Sequence, residues 1–347
     1  MERFQNFFTK LLDLSRSYIA LAVSLGVIIF LVNLRFQNNI VQQDNYLGYA
    51  KAFSEGLKDL SYYDSRLYPG LPLSIFLLTK ATNNFILSGY LMIIFSFIGS
   101  YTLLNKITKS SLNILPLIFP PIMLDMATII ANEYITIFLV LLVVYLIYNN
   151  KYSSASFVSG LIYWFRAAGS LVFFAFLLAT LLFSKKNVKP KYLLYFFVPI
   201  LMFVVFNNHF FGSPSPFYQL STYRIVSPYG NEIGFIQVFK DIIRTLKWGQ
   251  IGILVSGLFY LIFYIAHLVR IYFEHRKKLN LKSMFLITSV VFMSMFIFSY
   301  SFVPYLENFA RYLTPMIPLF WILLYKKSYK NLFLMPALAI SILVVLR

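Results

Sequence analysis

The chain has no cysteine, and charge is scarce: 12% of its residues are Asp, Glu, Lys or Arg, while 59% are apolar. The missing cysteines exclude disulfide frameworks, thiolate metal centres and cysteine nucleophiles, and say nothing about redox compartment. The missing charge excludes an ordinary soluble domain, which is about one quarter charged and about half apolar. Signature motifs are missing too. The three histidines, His209, His267 and His275, never stand in His-x-x-His or His-Glu-x-x-His spacing, so a zinc hydrolase site has no support. There is no Gly-rich loop of the Walker type, so ATP hydrolysis has none either.

What fills the chain instead is apolar sequence in runs. A stretch of about 18 or more apolar residues is long enough to span a bilayer. Segments 18–34, 85–104, 134–148, 167–183, 192–206, 251–269, 284–302, 312–325 and 332–346 reach or approach that length. Two weaker runs, 112–124 and 152–164, bring the expected number of crossings to about 11. Spans this short must tilt little, thin the bilayer or sit inside the bundle. The expected fold is an all-α polytopic membrane protein with juxtamembrane amphipathic helices. No linker, low-complexity stretch or internal repeat divides it, so residues 1–347 are expected to form a single transmembrane domain.

Acids are scarce beside bases, with 12 against 30 Lys and Arg and a net charge of +18. Such a balance could signal nucleic acid, so its distribution decides. Six short segments (1–16, 105–111, 149–152, 185–191, 270–283 and 326–330) hold 18 of the 30 cations. Nine of the 12 acids fall in the alternate segments: Asp44, Glu55, Asp59, Asp64, Asp125, Glu133, Glu232, Asp241 and Glu307. This asymmetry is the positive-inside pattern, and it places the N-terminus in the cytoplasm of a multi-pass cell-membrane protein. The basic charge is then topological, and no nucleic-acid partner is expected. Residues 1–34 resemble a signal peptide, but the span is long and no small-residue cleavage site follows it, so an uncleaved first helix is expected.

Two outer segments, 35–83 and 208–248, are too long for simple turns, and long loops tend to carry function. They are expected to form the active-site face. In the first, Tyr46, Tyr49, Ala50, Phe53 and Leu57 share one helical face, which suits a helix lying on the membrane surface. The run Pro69-Gly70-Leu71-Pro72 forces a turn, and a short apolar helix follows it. In the second, residues 235–248 repeat the surface-helix pattern, with Phe235, Val238, Phe239, Ile242, Ile243 and Leu246 on one face.

Six charged positions, five tyrosines and one histidine could carry chemistry. Asp44 precedes the first surface helix, where an Asp caps a helix N-terminus or serves as a general base at the membrane face. Glu133 opens a span, with Asp125 eight residues earlier. An acid there is favoured by the helix dipole, or it faces Asp44 across an outer cavity and binds the acceptor or a metal. Arg166 stands between apolar stretches, where a guanidinium costs about 2.5–3.5 kcal/mol to insert. It is an interfacial anchor, or a clamp for phosphate, which guanidinium binds through two parallel hydrogen bonds. Arg66 and Arg311 share the outer placement, and Arg311 also has Glu307 at i−4 for an ion pair. Tyr46, Tyr49 and Tyr68, with Tyr62 and Tyr63, could stack on a sugar. His209 opens the second outer loop and could touch substrate.

Taken in order, these blocks resemble the GT-C superfamily of membrane glycosyltransferases, which use polyprenyl-phosphate sugars and include mannosyltransferases. Gln43-Asp44-Asn45-Tyr46 followed by Tyr49-Ala50 is similar to the family's acid-bearing first loop. Arg66-Leu67-Tyr68-Pro69-Gly70-Leu71-Pro72 resembles its Pro-rich lead into a short apolar helix. Asn132-Glu133-Tyr134 is similar to its acid opening a long span. Arg166-Ala167-Ala168-Gly169 and Ala310-Arg311-Tyr312-Leu313-Thr314-Pro315 match its basic-Gly and Arg-Tyr-x-x-Pro patterns. The likeness runs from about residue 17 to 325. The first loop departs from it by lacking the adjacent acidic pair of several branches, and the outer C-terminal domain of oligosaccharyltransferases is not expected.

The resemblance implies inverting sugar transfer from a polyprenyl-phosphate donor to a lipid, glycan or protein acceptor on the extracytoplasmic face. Asp44 would be the base, Arg166 with Arg66 or Arg311 would bind the donor phosphate, and a divalent cation would be the only cofactor to consider. Two other readings stay open. A membrane polysaccharide polymerase or ligase would depend on Arg224 and His209 in the late outer loop. A transporter or flippase of a lipid-linked saccharide would show paired repeats and midplane polar residues.

Overall fold

The computed structural model describes residues 2–42, 44–56, 67–110, 112–118, 120–183, 189–219, 264–271, 279–299 and 311–324, with residues 221, 240, 243, 262 and 273. Side chains before residue 18 are outside this description. The described chain is predominantly helical and contains no strand; one isolated parallel bridge joins Gln42 to Ile130.

Helix α1 (Glu2–Gln37) contains the first long apolar run and ends where Asn39 turns left-handed, at φ 59°. Helices α2 (Tyr46–Ser54) and α3 (Gly70–Thr82) are short. Helix α4 (Phe85–Thr108) starts at Asn84, whose side chain accepts from the Leu87 N–H and so caps the helix. Helix α7 (Glu133–Tyr148) and helix α8 (Tyr152–Ile162) form an antiparallel pair, turning at Asn150, which has φ 58°. Helix α11 (Lys191–Phe211) ends at Gly212, also left-handed. Between them lie α5 (Leu115–Ile118), α6 (Pro121–Ala127), α9 (Ala167–Ser170) and α10 (Val172–Phe183), and later come α12 (Leu281–Ser299) and α13 (Ile317–Leu324).

Among the described residues, three segments are long and apolar enough to cross a membrane: Tyr18–Gln37, Phe85–Thr108 and Lys191–Phe211. Helix α1 bears this out on its surface. Ile19, Val23 and Phe30 lie on it about 60% exposed, and contiguous apolar exposure on that scale marks a non-aqueous neighbour.

The core forms where glycines let helices approach. A Cβ at Gly160 of α8 would lie 2.2 Å from the Phe196 carbonyl oxygen, so α8 and α11 meet backbone to side. Gly99 of α4 admits the Phe138 ring of α7 in the same way. The Trp164 indole N–H donates to the Pro199 carbonyl at 2.8 Å, and Phe173 stacks on Phe196 with centroids 4.0 Å apart.

Several expectations change against this architecture. Run 112–124 is no continuous span: Pro116, Pro120 and Pro121 divide it into α5 and α6, since proline lacks the N–H and clashes with the preceding turn. Run 167–183 is broken at Leu171 into α9 and α10. The Pro-Gly-x-Pro run makes no separate turn. Pro69 is the N-cap, and Gly70, Leu71 and Pro72 form the first turn of α3, where proline is tolerated. The apolar face of α2 is covered by protein: Tyr46, Tyr49 and Ala50 are buried, and Phe53 packs on Phe76, Phe206 and Phe210. Most of segment 208–248, together with run 251–269 up to Tyr264 and run 332–346, lies outside the described residues.

The bundle has two chemically distinct ends. At one end, Lys106 lies over the Tyr145 ring and Lys282 over the Tyr148 ring, near Lys151 at the α7–α8 turn. At the other end gather the end of α1, all of α2, and the starts of α3, α4 and α7 with the end of α8. Helix α3 crosses this second end. Its first residue donates to the Trp164 carbonyl at 2.8 Å, and Thr79 near its last turn bonds Ser88 at 3.0 Å.

Candidate active site

Four charged side chains from distant parts of the chain meet at the second end. Asp44 sits in the bend before α2. That segment is fixed on both sides: the Ile130 N–H donates to the Val41 carbonyl at 3.0 Å, and Gln42 Oε1 accepts from the Leu47 N–H at 2.9 Å. The N-cap of α2 is Asn45, which makes no side-chain cap, and the Asp44 carboxylate is turned to Arg311 instead. Glu133 is the first residue of α7. Its neighbour Asn132 donates to the Phe165 carbonyl at 3.1 Å, tying the start of α7 to the end of α8. Arg166 follows in extended conformation between α8 and α9. Gly169 lets α9 tuck against Ile162, because a Cβ there would meet Ile162 Cγ2 at 2.6 Å.

These groups form one alternating ladder. Arg311 Nη2 donates to Asp44 Oδ2 at 2.8 Å, and Arg311 Nε donates to Glu133 Oε1. Arg166 Nη1 donates to the same Glu133 oxygen at 3.2 Å. The Arg166 guanidinium also lies over the Tyr312 ring, 4.8 Å from its centroid, a favourable cation–π placement. Two carboxylates and two guanidiniums cancel, which is how buried charge is tolerated.

Exposure is graded along the ladder. Side-chain exposure is 1% at Glu133, 13% at Arg166, 17% at Arg311 and 32% at Asp44. The inner carboxylate is therefore an anchor, and the outer one is the group a solute can reach. Glu133 Oε2 and the Tyr68 hydroxyl are buried with no hydrogen-bond partner among the described residues. The Tyr46 side chain sits within the field of all four groups. Burial, with the Asp44 carboxylate beside it, pushes its hydroxyl well above the usual tyrosine range, against the pull of Arg311. Tyr46 is thus a neutral phenol at this site.

The other expected site residues are placed differently. Asp125 pairs with Arg35 at the end of α1. Tyr46 and Tyr49 are 2% and 1% exposed, so neither ring offers a face to a sugar, and Tyr49 stacks on Phe53 at 5.1 Å. Tyr68 packs between Tyr163 and Phe203. His209 is exposed in the last turn of α11, edge-on to Phe210. Arg66, Tyr62, Tyr63, Arg224 and Glu307 lie outside the described residues. Gln42, Asn132 and Tyr312 enter the site without having been assigned a role; Asn132 and Tyr312 carried a signal only as members of the Asn-Glu-Tyr and Arg-Tyr-x-x-Pro blocks.

Among the described residues no three His, Asp or Glu side chains converge, and both carboxylates of the ladder already hold guanidiniums. No family model, curated protein or solved structure matches this chain.

Proposed function

We propose that this chain is a GT-C-type membrane glycosyltransferase, moving a sugar from a polyprenyl-phosphate donor to a hydroxyl-bearing acceptor at the extracytoplasmic face, with inversion. The observation that carries the reading is the Asp44–Arg311–Glu133–Arg166 ladder. It supplies what the chemistry needs. The acceptor oxygen bonds to the anomeric carbon while the bond from that carbon to the phosphate oxygen breaks. Asp44, the reachable carboxylate, takes the acceptor proton. The phosphate leaves with the electron pair, and Arg166 and Arg311 stabilise its growing charge. A phosphate leaving group needs cations rather than a strong acid, so one base and two guanidiniums suffice.

In this reading the bundle crosses the bilayer about 11 times. The lysines at the end opposite the ladder, Lys106, Lys151 and Lys282, support a cytoplasmic position for that end.

The test is transfer by the purified protein from a radiolabelled polyprenyl-phosphate hexose to extracted membrane lipids and glycans. Asp44→Asn should lower transfer by about 10²–10⁴, and Arg166→Ala by about 10²–10³, in protein that still elutes as a folded species. Undiminished transfer in Asp44→Asn removes that residue as the base. Absence of any transfer with translocation of the intact donor assigns the chain to lipid-linked saccharide transport.

A further inference from the structure

The ladder contains a feature the transfer reading alone does not require: the base is already paired with one of the arginines meant for the phosphate. Arg311 Nη2 is on Asp44 while its Nε is on Glu133. Arg166 has no such double duty, being held by Glu133 and the Tyr312 ring. We propose that Arg311 is handed from Asp44 to the donor phosphate during the reaction, pivoting on Glu133, so that proton uptake by Asp44 and departure of the phosphate drive one another. The proposal rests on the transfer reading above.

Charge balance is what makes the handover favourable. The sugar-bearing donor is a phosphodiester with about one negative charge, and the released polyprenyl phosphate carries about −1.5 to −2. As the bond to the sugar breaks, the phosphate gains the charge that Asp44 loses on taking the acceptor proton. Arg311's old partner becomes neutral at the moment its new one becomes more anionic. The local net charge is unchanged across the step, so no charge is left uncompensated in a site that is mostly buried. Glu133 is the positioning residue. Its buried carboxylate, reached by both guanidiniums through one oxygen, keeps Arg311 within the site while the outer contact changes.

Asn at position 44 mimics the protonated base, which gives the test. Purified protein in detergent is titrated with radiolabelled decaprenyl phosphate, a monoester, and with its methyl ester, a diester. Asp44→Asn is expected to bind the monoester at least about fivefold tighter than wild type, the lower end of measured site-to-site coupling, and to gain less for the diester. In an Arg311→Gln background, which keeps a donor toward Glu133, the same Asp44 change should give no gain. If Arg311→Gln does not fold, Arg311→Lys replaces it, since an ammonium cannot span both carboxylates as the fork does.

An unchanged or weaker affinity in Asp44→Asn overturns the handover. So does an equal gain without Arg311, which would be plain relief of repulsion, and so does an equal gain for both esters. Inorganic phosphate is titrated beside them: a gain confined to decaprenyl phosphate assigns the anion to the lipid, an equal one to a free phosphate, and Arg311's exchange stands in either case. Failure of the two readings is separable. Transfer lost with unchanged affinity keeps the base and removes the handover; transfer retained in Asp44→Asn removes the base and, with it, the proton-coupled handover, whatever the affinity does.

Discussion

Arg311 bonds Asp44 at 2.8 Å across 267 positions of sequence. That single contact closes the site, because it links the loop after α1 to the residues before α13, while Glu133 and Arg166 complete it from α7 and the α8–α9 junction. Each element contributes one charge, and each of the four side chains finds its ion-pair partner on a different element. The geometry of the site is therefore a property of the packed bundle, and it fails when packing fails.

Glu133 should be the most sensitive position for stability. It is 1% exposed and faces two guanidiniums, and removing one member of a buried charge set leaves the rest uncompensated. Glu133→Ala is expected to cost about 3–5 kcal/mol, read as a marked drop in melting temperature in detergent. Glu133→Gln keeps the volume but not the charge, and should lose transfer while remaining nearer the wild-type melt. Wild-type melting in Glu133→Ala would mean that the ladder contributes little to the fold.

Asp125 should behave oppositely. Its ion pair with Arg35 is about 30% exposed on each side, and solvent-screened pairs contribute about 0–1 kcal/mol. Asp125→Asn should leave both melting and transfer close to wild type, in the same assays. Loss of transfer comparable to that in Asp44→Asn would place Asp125 in the site after all.

Much of the local structure was legible in sequence because it is written in short-range pattern. The first long run, the α2 face carrying Tyr46, Tyr49 and Ala50, and the start of α7 at Glu133 all follow from helical periodicity and polar punctuation. Arg166 could be singled out by the cost of a guanidinium among apolar stretches, Asp44 and Glu133 by their places before helices, and Arg311 by its outer placement. Their pairing could not be, since ion-pair partners 267 and 178 positions apart leave no mark in spacing. Asp125 shows the converse error: proximity to Glu133 in sequence suggested a shared site, but α6 and the turn after it carry Asp125 toward Arg35. The face of α2 was legible and its neighbour was not. An apolar stripe does not say whether lipid or Phe206 will cover it.

Gly70 should report on how α3 positions the site. A Cβ there would lie 2.6 Å from the Trp164 carbonyl oxygen, and the Gly70 N–H already donates to that oxygen. Gly70→Ala must displace the end of α8, two residues from Arg166. Overpacking of this kind costs about 1–3 kcal/mol, and transfer should fall as well because the guanidinium moves with the backbone. Gly26→Ala is the control, since nothing lies within 4 Å of its Cβ position and alanine is favoured in a helix by about 1 kcal/mol. Equal behaviour of the two variants in melting and transfer would detach α3 from the site.

The absence of cysteine makes the proposed orientation directly measurable. A single cysteine introduced at an exposed position is the only thiol in the chain, so labelling needs no background correction. Ser54, in the last turn of α2 at the ladder end, and Lys151, at the α7–α8 turn on the opposite end, are both exposed. In intact cells a membrane-impermeant maleimide should label Ser54→Cys at once and Lys151→Cys only after permeabilisation. The cationic end then faces the compartment that retains Lys and Arg, and the carboxylates face the opposite side. The reverse pattern would put Asp44 in the cytoplasm and remove the extracytoplasmic site. Labelling of both positions in intact cells would mean that no bilayer separates the two ends, and the glycosyltransferase architecture would have to be abandoned with it.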